Sequence, residues 1–338
     1  MNDLKLYSKN NELKKLLDMV GTFSGHIQMK LGTEKFRTTT IRRGKLVTND
    51  KTVEINNEEI ITKALMEEET YKYLGIEQRR MTEEMMIKEK LQKEFQARIQ
   101  AVCRTGLNAG NLIKAINTYA VTTLTYSFGI VKWSETEMEE LQRMTRKYLT
   151  KNRQHHPESA IERTLIRRSE GGRGILDIAS LKDRQIASTN KYMQHKANES
   201  SIIEAVVRTD EGLTPVDMNG RDRLDIEEIV KTRNEARMAT WKNKTLHGRF
   251  DRESNAEEVD KEMSCIWFRK RYTFPELEEF MFAIQDQMVS TRNYRKVILK
   301  DWMVEDKCRK RGKDGETIQH VLNGREALVT REYKERLI

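Results

Sequence analysis

Two stretches of the chain hold cations at a density that suits a polyanion. From Arg143 to Arg173 nine basic residues stand against three acids, among them Arg146, Lys147, Lys151, Arg153, Arg163, Arg167, Arg168 and Arg173. From Arg292 to Lys313 the ratio is again nine to three, with Tyr294 and Trp302 interleaved. Clustered guanidinium and ammonium groups can track phosphates, and aromatic rings among them can stack on bases. A solvated face is the competing reading of either run. Gly171-Gly172-Arg173-Gly174 adds no nucleotide-hydrolase chemistry, because no Lys-Ser/Thr follows to reach phosphate and metal. A tight turn is expected there instead.

The elements that must position these groups read mainly as helices. Ile87, Leu91, Phe95 and Ile99 recur every four residues until Gly106. A second helix is expected from Asn108, with Leu112, Ile116, Tyr119, Ala120, Leu124 and Phe128 on its inner face. Ser134 with Glu137 forms a capping box for a third, whose buried stripe is Met138, Leu141, Thr145 and Leu149. Together these predict a small helical bundle. Ser180 with Asp183 should start a further helix, 208–222 reads as a linker, and Pro275 opens a helix carrying Leu277, Phe280, Met281, Ile284 and Met288.

The first 76 residues differ. Leu4 and Leu6 alternate like half of a hairpin, and Asn10 could cap a helix with Leu13, Leu16, Leu17 and Val20 on one face. Ile27–Leu31 and Thr38–Ile41 read as strands, and Lys45–Val47 and Lys51–Ile55 as a hairpin around Asn49-Asp50. At Tyr71, Tyr73 and Leu74 the chain reads as a last strand, with Gly75 letting the backbone pass close to a neighbour. The fold class predicted is mostly α, with a small α+β N-terminal part.

Composition agrees with a charged, helix-rich protein: 34% of residues are charged, mean hydropathy is -0.77 and the net charge is +9. Cys103, Cys265 and Cys308 are odd in number and far apart, which argues against a disulfide framework and for a reducing nuclear or cytoplasmic setting rather than secretion. No run approaches the roughly 20 apolar residues of a membrane span, and the N-terminus does not read as a signal peptide. No membrane or small-molecule partner is expected.

Several short segments, taken in order, resemble a known arrangement. Met1-Asn2-Asp3-Leu4-Lys5-Leu6-Tyr7 resembles the catalytic hairpin of reverse transcriptases, and Tyr73-Leu74-Gly75 resembles their primer grip. Asn117-Thr-Tyr-Ala120, Leu124-Thr-Tyr-Ser-Phe-Gly-Ile130 and Glu170-Gly-Gly-Arg-Gly174 are similar to the thumb of non-long-terminal-repeat retrotransposon polymerases carrying a restriction-like endonuclease. Arg292-Asn-Tyr-Arg295 with Glu316-Thr-Ile-Gln-His320 resembles that group's zinc-knuckle region. The resemblance divides the chain into the end of a palm (1–76), a thumb (77–179), a connector (180–290) and a degenerate knuckle (291–338).

The family's chemistry is phosphoryl transfer on two Mg²⁺ ions held by aspartates. On the resemblance Asp3 is a remnant of that pair, Asn2 stands in place of its partner, and a further catalytic aspartate belongs upstream. No polymerisation is therefore expected from this chain by itself, and no cofactor. Cys308 and His320 match two knuckle ligands, but Arg311 and Arg325 stand at the other two, and guanidinium does not ligate zinc, so no bound metal is expected. What the resemblance leaves is affinity for RNA or an RNA/DNA hybrid through Arg146, Lys147, Lys151, Arg153, Arg167, Arg168 and Arg173, and conceivably a polymerase domain acting in trans. The alternatives are a helical protein-interaction protein, or a decayed element product with no retained function.

Overall fold

The computed structural model describes residues 4–9, 12–47, 49–55, 58–66, 69–78, 83–219, 226–270 and 272–323. Asn2, Asp3, Asn10 and Arg325, and the part of the expected linker at 220–222, lie outside these residues. The chain is mostly helical with a small N-terminal sheet region, and divides into two compact units, Met1–Lys90 and Leu91–Ile338. The boundaries expected at 179/180 and 290/291 both fall inside the second unit.

In the first unit, helix α1 (Leu13–His26) packs against a sheet. Strands β1 (Arg37–Thr38), β5 (Glu58–Ala64) and β4 (Lys51–Ile55) lie in that order, β1 parallel and β4 antiparallel to β5. Leu17, Val53 and Ile55 are its buried centre, with Leu6, Leu13, Leu31, Phe36 and Ile60 against them. Leu6 thus packs on the core, but residues 4–9 form no strand. Ile27–Leu31 is not a strand either. The chain there closes α1: Gln28 turns left-handed (φ 55°), its N–H donating to Gly25 O and the Met29 N–H to Ser24 O.

Strands β2 (Thr40–Arg42) and β3 (Lys45–Val47) pair with each other, and β4 pairs with β5. The hairpin expected between β3 and β4 does not form. Arg43 (φ 48°) and Gly44 (φ 78°) make the tight two-residue turn one connection earlier. Asp50, expected in a turn, instead accepts the Ala64 N–H at 2.8 Å. A second such hairpin joins β6 (Tyr71–Tyr73) to β7 (Ile76–Gln78) through Leu74 (φ 49°) and Gly75 (φ 84°).

From residue 84 the described elements are helices, and they include those expected around Ile87, Asn108, Ser134, Ser180 and Pro275 beside short ones that were not expected. They are α2 (Glu84–Cys103), α3 (Ala109–Ala115), α4 (Thr122–Thr125), α5 (Glu135–Lys151), α6 (Ile161–Leu165), α7 (Ile178–Ala197), α8 (Ser201–Thr209) and α9 (Ile226–Asn243). After them come α10 (Arg249–Ser254), α11 (Lys261–Ser264), α12 (Ile266–Lys270), α13 (Pro275–Gln285), α14 (Arg292–Val297) and α15 (Ile318–Asn323). Phe95, Ile99, Leu112, Ile116, Leu124, Phe128, Met138, Leu141 and Leu149 are fully buried. Asn108 caps α3 by accepting the Asn111 N–H at 2.9 Å. A wider π turn over Ile116–Ala120 then shifts the helical face, and Tyr119 is exposed beneath Arg98 rather than buried.

Helix α7 starts ahead of Ser180. Its N-cap is Asp177, whose carboxylate accepts from Ser180 Oγ at 2.7 Å and pairs with Arg237 at 2.8 Å. The described part of the expected linker is a packed loop. The Asp210 carboxylate accepts from Thr214 N, Thr214 Oγ1 and Met218 N, and Val216 and Met218 are buried against Val207. Three backbone or hydroxyl donors on one carboxylate hold this loop closed, so Gly212 and Pro215 mark turns rather than a tether.

Candidate nucleic-acid interface

Helix α5 is set by both ends. At its start Ser134 Oγ accepts the Glu137 N–H at 3.2 Å and the Glu137 carboxylate accepts the Ser134 N–H at 2.7 Å, the reciprocal box the spacing predicts. Met138, Leu141, Thr145 and Leu149 are buried, and steps of four place Arg143, Lys147 and Lys151 on the opposite face. Glu135 and Glu137 occupy the first turn and the cations the last turns, which suits the helix dipole whatever else they do.

The far end is less ordinary. Arg153 N–H donates to Thr150 O at 3.1 Å and Gln154 N–H to Leu149 O at 2.8 Å, closing the helix with Arg153 in the left-handed region (φ 55°). Glycine is the usual occupant. An arginine there costs about 1–2 kcal/mol.

Lys147, Lys151, Arg153 and Arg167 are exposed and Arg146 is half-buried, and none of their charged groups has an ion pair or hydrogen bond among the described residues. Arg143 makes only a long contact to Glu140 at 3.9 Å. Burial, and then the like charge of Arg143, lower the Arg146 pKa, with Glu162 opposing. Glu162 is itself committed to Lys244 at 2.7 Å. The C-terminal half of α5 and the loop after it therefore present cations that the protein leaves unneutralised, and a docked anion would relieve that.

The rest of the same basic run is interior. Arg168 and Arg173, expected to face phosphates, are buried on Glu278, at 2.8 Å and 3.2 Å. Arg168 Nη1 also donates to Phe268 O at 3.0 Å, and Arg173 Nη1 to Gln154 O. Arg163 is buried on Asp286 at 2.7 Å, with Nη2 on Gln285 at 2.6 Å and Nε on Gly171 O at 3.0 Å. Its guanidinium lies 4.1 Å from the Phe282 ring centre and 4.9 Å from that of Trp241. Asp286 also accepts the Ala160 N–H at 2.9 Å. Guanidinium groups so enclosed cannot touch a polyanion, so Arg168 and Arg173 leave the set of candidate contacts.

Two local features explain why they turn inward. Gly172 lies so close to Ile166 that an added Cβ would stand 2.2 Å from the Ile166 carbonyl oxygen, so only glycine lets 166–174 fold on itself. Gly171 (φ 91°) and Gly174 (φ 79°) supply the left-handed corners, giving the tight turn expected of this run. On the facing side, α13 presents Glu278, Phe282 and Ala283 inward, while of the apolar residues read on it Met288 is buried, Met281 and Ile284 are half-buried, and Leu277 and Phe280 are each 49% exposed. Nothing in the local pattern marks Glu278 or Asp286 as interior. Their partners are more than a hundred residues away in the chain. His155, also buried, is pushed down to about 3 by loss of solvent and then by the Arg173 and Arg146 charges.

The other expected residues lie on other elements. Tyr73, Leu74 and Gly75 form the β6–β7 turn. Gly75 serves its positive φ and not a close approach, since nothing lies within 4 Å of where its Cβ would be. Beside them the Lys5 ammonium is 5.1 Å from the Tyr71 ring centre and 5.6 Å from that of Tyr73, and donates to Gln78 at 3.0 Å. Asp3 and Asn2 lie outside the described residues. Cys308 is buried in a turn closed by pairing of Lys307 with Gly315, and His320 lies in α15. The buried Glu316 carboxylate organises that region, accepting from the Arg292 and Arg309 N–H groups and pairing with the Arg309 guanidinium at 3.0 Å. Hydrogen bonds to it hold the Glu316 pKa below the usual carboxylate range against the opposing effect of burial.

Among the described residues no group of three or more His, Cys, Asp or Glu side chains could hold a metal ion, and no helix is long and apolar enough to cross a membrane. No protein-family model matches the chain, and no curated protein matches it.

Proposed function

We propose that this chain binds RNA or an RNA/DNA hybrid through the exposed face of α5 and the loop that follows, using Arg146, Lys147, Lys151, Arg153 and Arg167. The observation that carries this is their lack of neutralising partners, joined to an arginine held in a backbone conformation that glycine would occupy at less cost. On this reading the chain is related to the non-long-terminal-repeat reverse transcriptases. The first unit is then the end of a palm, the β6–β7 turn its primer grip, and the α2–α5 helices a thumb that follows the duplex by its phosphates. Recognition is by charge and groove shape rather than sequence. The chain does not polymerise by itself, and primer extension with magnesium or manganese should yield no product.

The direct test is binding of a labelled hybrid duplex across a salt series from about 50 to 200 mM. Contacts of this number give a logarithmic affinity that falls with log salt at a slope of about -3.5 to -4.5. Equal binding at both ends of the series overturns the proposal. One observation favours a second reading, a helical protein-interaction protein: the outward stripe of α13, where Leu277 and Phe280 are exposed close to Tyr272 and Phe274. A Leu277→Ser, Phe280→Ser variant that loses partner binding while keeping its affinity for nucleic acid would support it.

A further inference from the structure

The segment Val297-Ile-Leu-Lys-Asp-Trp-Met-Val304 has the composition of a core strand, yet it does not lie in a core. Leu299 is 56%, Trp302 79% and Met303 94% exposed. Val304 N–H donates to Asp301 O at 3.1 Å, so Trp302 and Met303 are the two central residues of a turn. Such tips ordinarily carry Gly, Asn or Asp.

The base of this turn is fixed. Asp301 pairs with Arg295 at 2.7 Å, its N–H donates to Arg295 O at 3.0 Å, and Lys300 holds a left-handed backbone (φ 53°). The basic turn that follows is tied to α14 as well, through Lys296 to Asp306 at 3.0 Å and Arg292 Nη1 to Lys307 O at 3.4 Å. Once Asp301, Asp306 and Glu316 are matched with Arg295, Lys296 and Arg309, the exposed Lys300, Lys307, Lys310 and Lys313 have no ion pair among the described residues. Glu305 and Asp314 are the acids left between them, so the stretch that carries the indole, 300–313, keeps an excess of exposed positive charge.

We infer that this turn is a stacking site for an unpaired nucleobase, with those lysines on the adjoining phosphates of a single strand. A flat indole held out at a turn tip, with a polarisable thioether beside it, suits the π face of a base. A single strand repeats one base and one phosphate per nucleotide, and so supplies both halves of the complement at once. An acidic polypeptide would answer the lysines but offers no flat face to the indole. The site shares no residue with the α5 surface and is tested without it.

The test is tryptophan fluorescence of the full chain titrated with a pyrimidine oligonucleotide of about 12 nucleotides. Trp133 and Trp241 are buried, Trp267 is half-buried and Trp302 is 79% exposed, so the Trp302→Leu difference isolates the emission of the turn. Saturable quenching is expected. Trp302→Leu should remove most of it and weaken single-strand binding about fivefold to a hundredfold, whereas Trp302→Phe, which keeps a stacking ring, should retain most of the affinity. The side chain is exposed, so the circular dichroism of both variants should match the parent. Lys147→Ala with Lys151→Ala should leave the quenching intact even where hybrid binding falls, which separates failure here from failure at α5. Absence of quenching, equal affinity in Trp302→Leu, or equally tight quenching by polyglutamate overturns the inference, the last in favour of an acidic polypeptide.

Discussion

Arg167 is exposed without an ion partner among the described residues, and Arg168, one residue on, lies buried on Glu278. The whole run from Arg143 to Arg173 divides in this way. Arg163, Arg168 and Arg173 are enclosed between carboxylates and aromatic rings, while Arg146, Lys147, Lys151, Arg153 and Arg167 are left for solvent or a ligand. A basic run is thus two populations with opposite energetics. For the first group desolvation is the dominant cost, and a carboxylate at hydrogen-bond distance offsets it. For the second, water does most of the solvating and the protein invests little in any one position. Local charge density does not distinguish them, because it counts residues without regard to where the side chains end.

The contrast breaks most visibly at Glu278. Glu278→Gln removes the charge that Arg168 and Arg173 share, and should cost about 3–5 kcal/mol in urea unfolding. A loss below about 1 kcal/mol would mean that the two arginines are not held as interior ions. Acid sharpens the same point. His155 titrates near 3 in the folded protein, below its ordinary value of 6.5, so between these the unfolded chain takes up a proton that the folded one refuses. Stability from this group is complete above about pH 6.5 and declines as the pH falls toward 3. His155→Gln should flatten that part of a melting-temperature profile measured from pH 7 to 4.

Next in size is Gly172→Ala. Its new methyl would meet the Ile166 carbonyl, and a loss of about 1–3 kcal/mol is expected from overpacking, without any direct effect on the α5 surface. Arg153→Gly should act in the other direction, stabilising the protein by about 1 kcal/mol through relief of the left-handed backbone while weakening hybrid binding. A variant that is more stable and binds equally well would remove Arg153 from the interface. Smallest for stability is Lys147→Ala with Lys151→Ala, which should stay within about 0.5 kcal/mol of the parent. Its effect belongs to binding, where the salt slope should fall by close to one unit for each lysine.

Much of the helical architecture was legible because its signals are local. Asn108 and the Ser134–Glu137 box close hydrogen bonds within three residues, and the Met138-to-Leu149 stripe follows from one helical period. The Gly171–Gly174 run read correctly as a tight turn, since the need for glycine there is steric. Strand pairing read less well. Lys45–Val47 and Lys51–Ile55 are both strands, but which strand each joins depended on the left-handed Arg43-Gly44 turn and on β5, which no alternation announced. The apolar residues read along α13 divide: Met288 is buried and Met281 and Ile284 are half-buried, but Leu277 and Phe280 face out where Glu278, paired with an arginine 105 residues away in sequence, turns inward.

Sequence by itself therefore determined the longer helices, the Asn108 and Ser134 caps, the glycine turn and the excess of positive charge around α5. These rest on contacts within a few residues and on composition. Tertiary structure decided which cations of that run belong to the fold and which remain for a ligand. A guanidinium turns inward only where a carboxylate from a distant element meets it, and the position of Glu278 and Asp286 is a property of the packed chain.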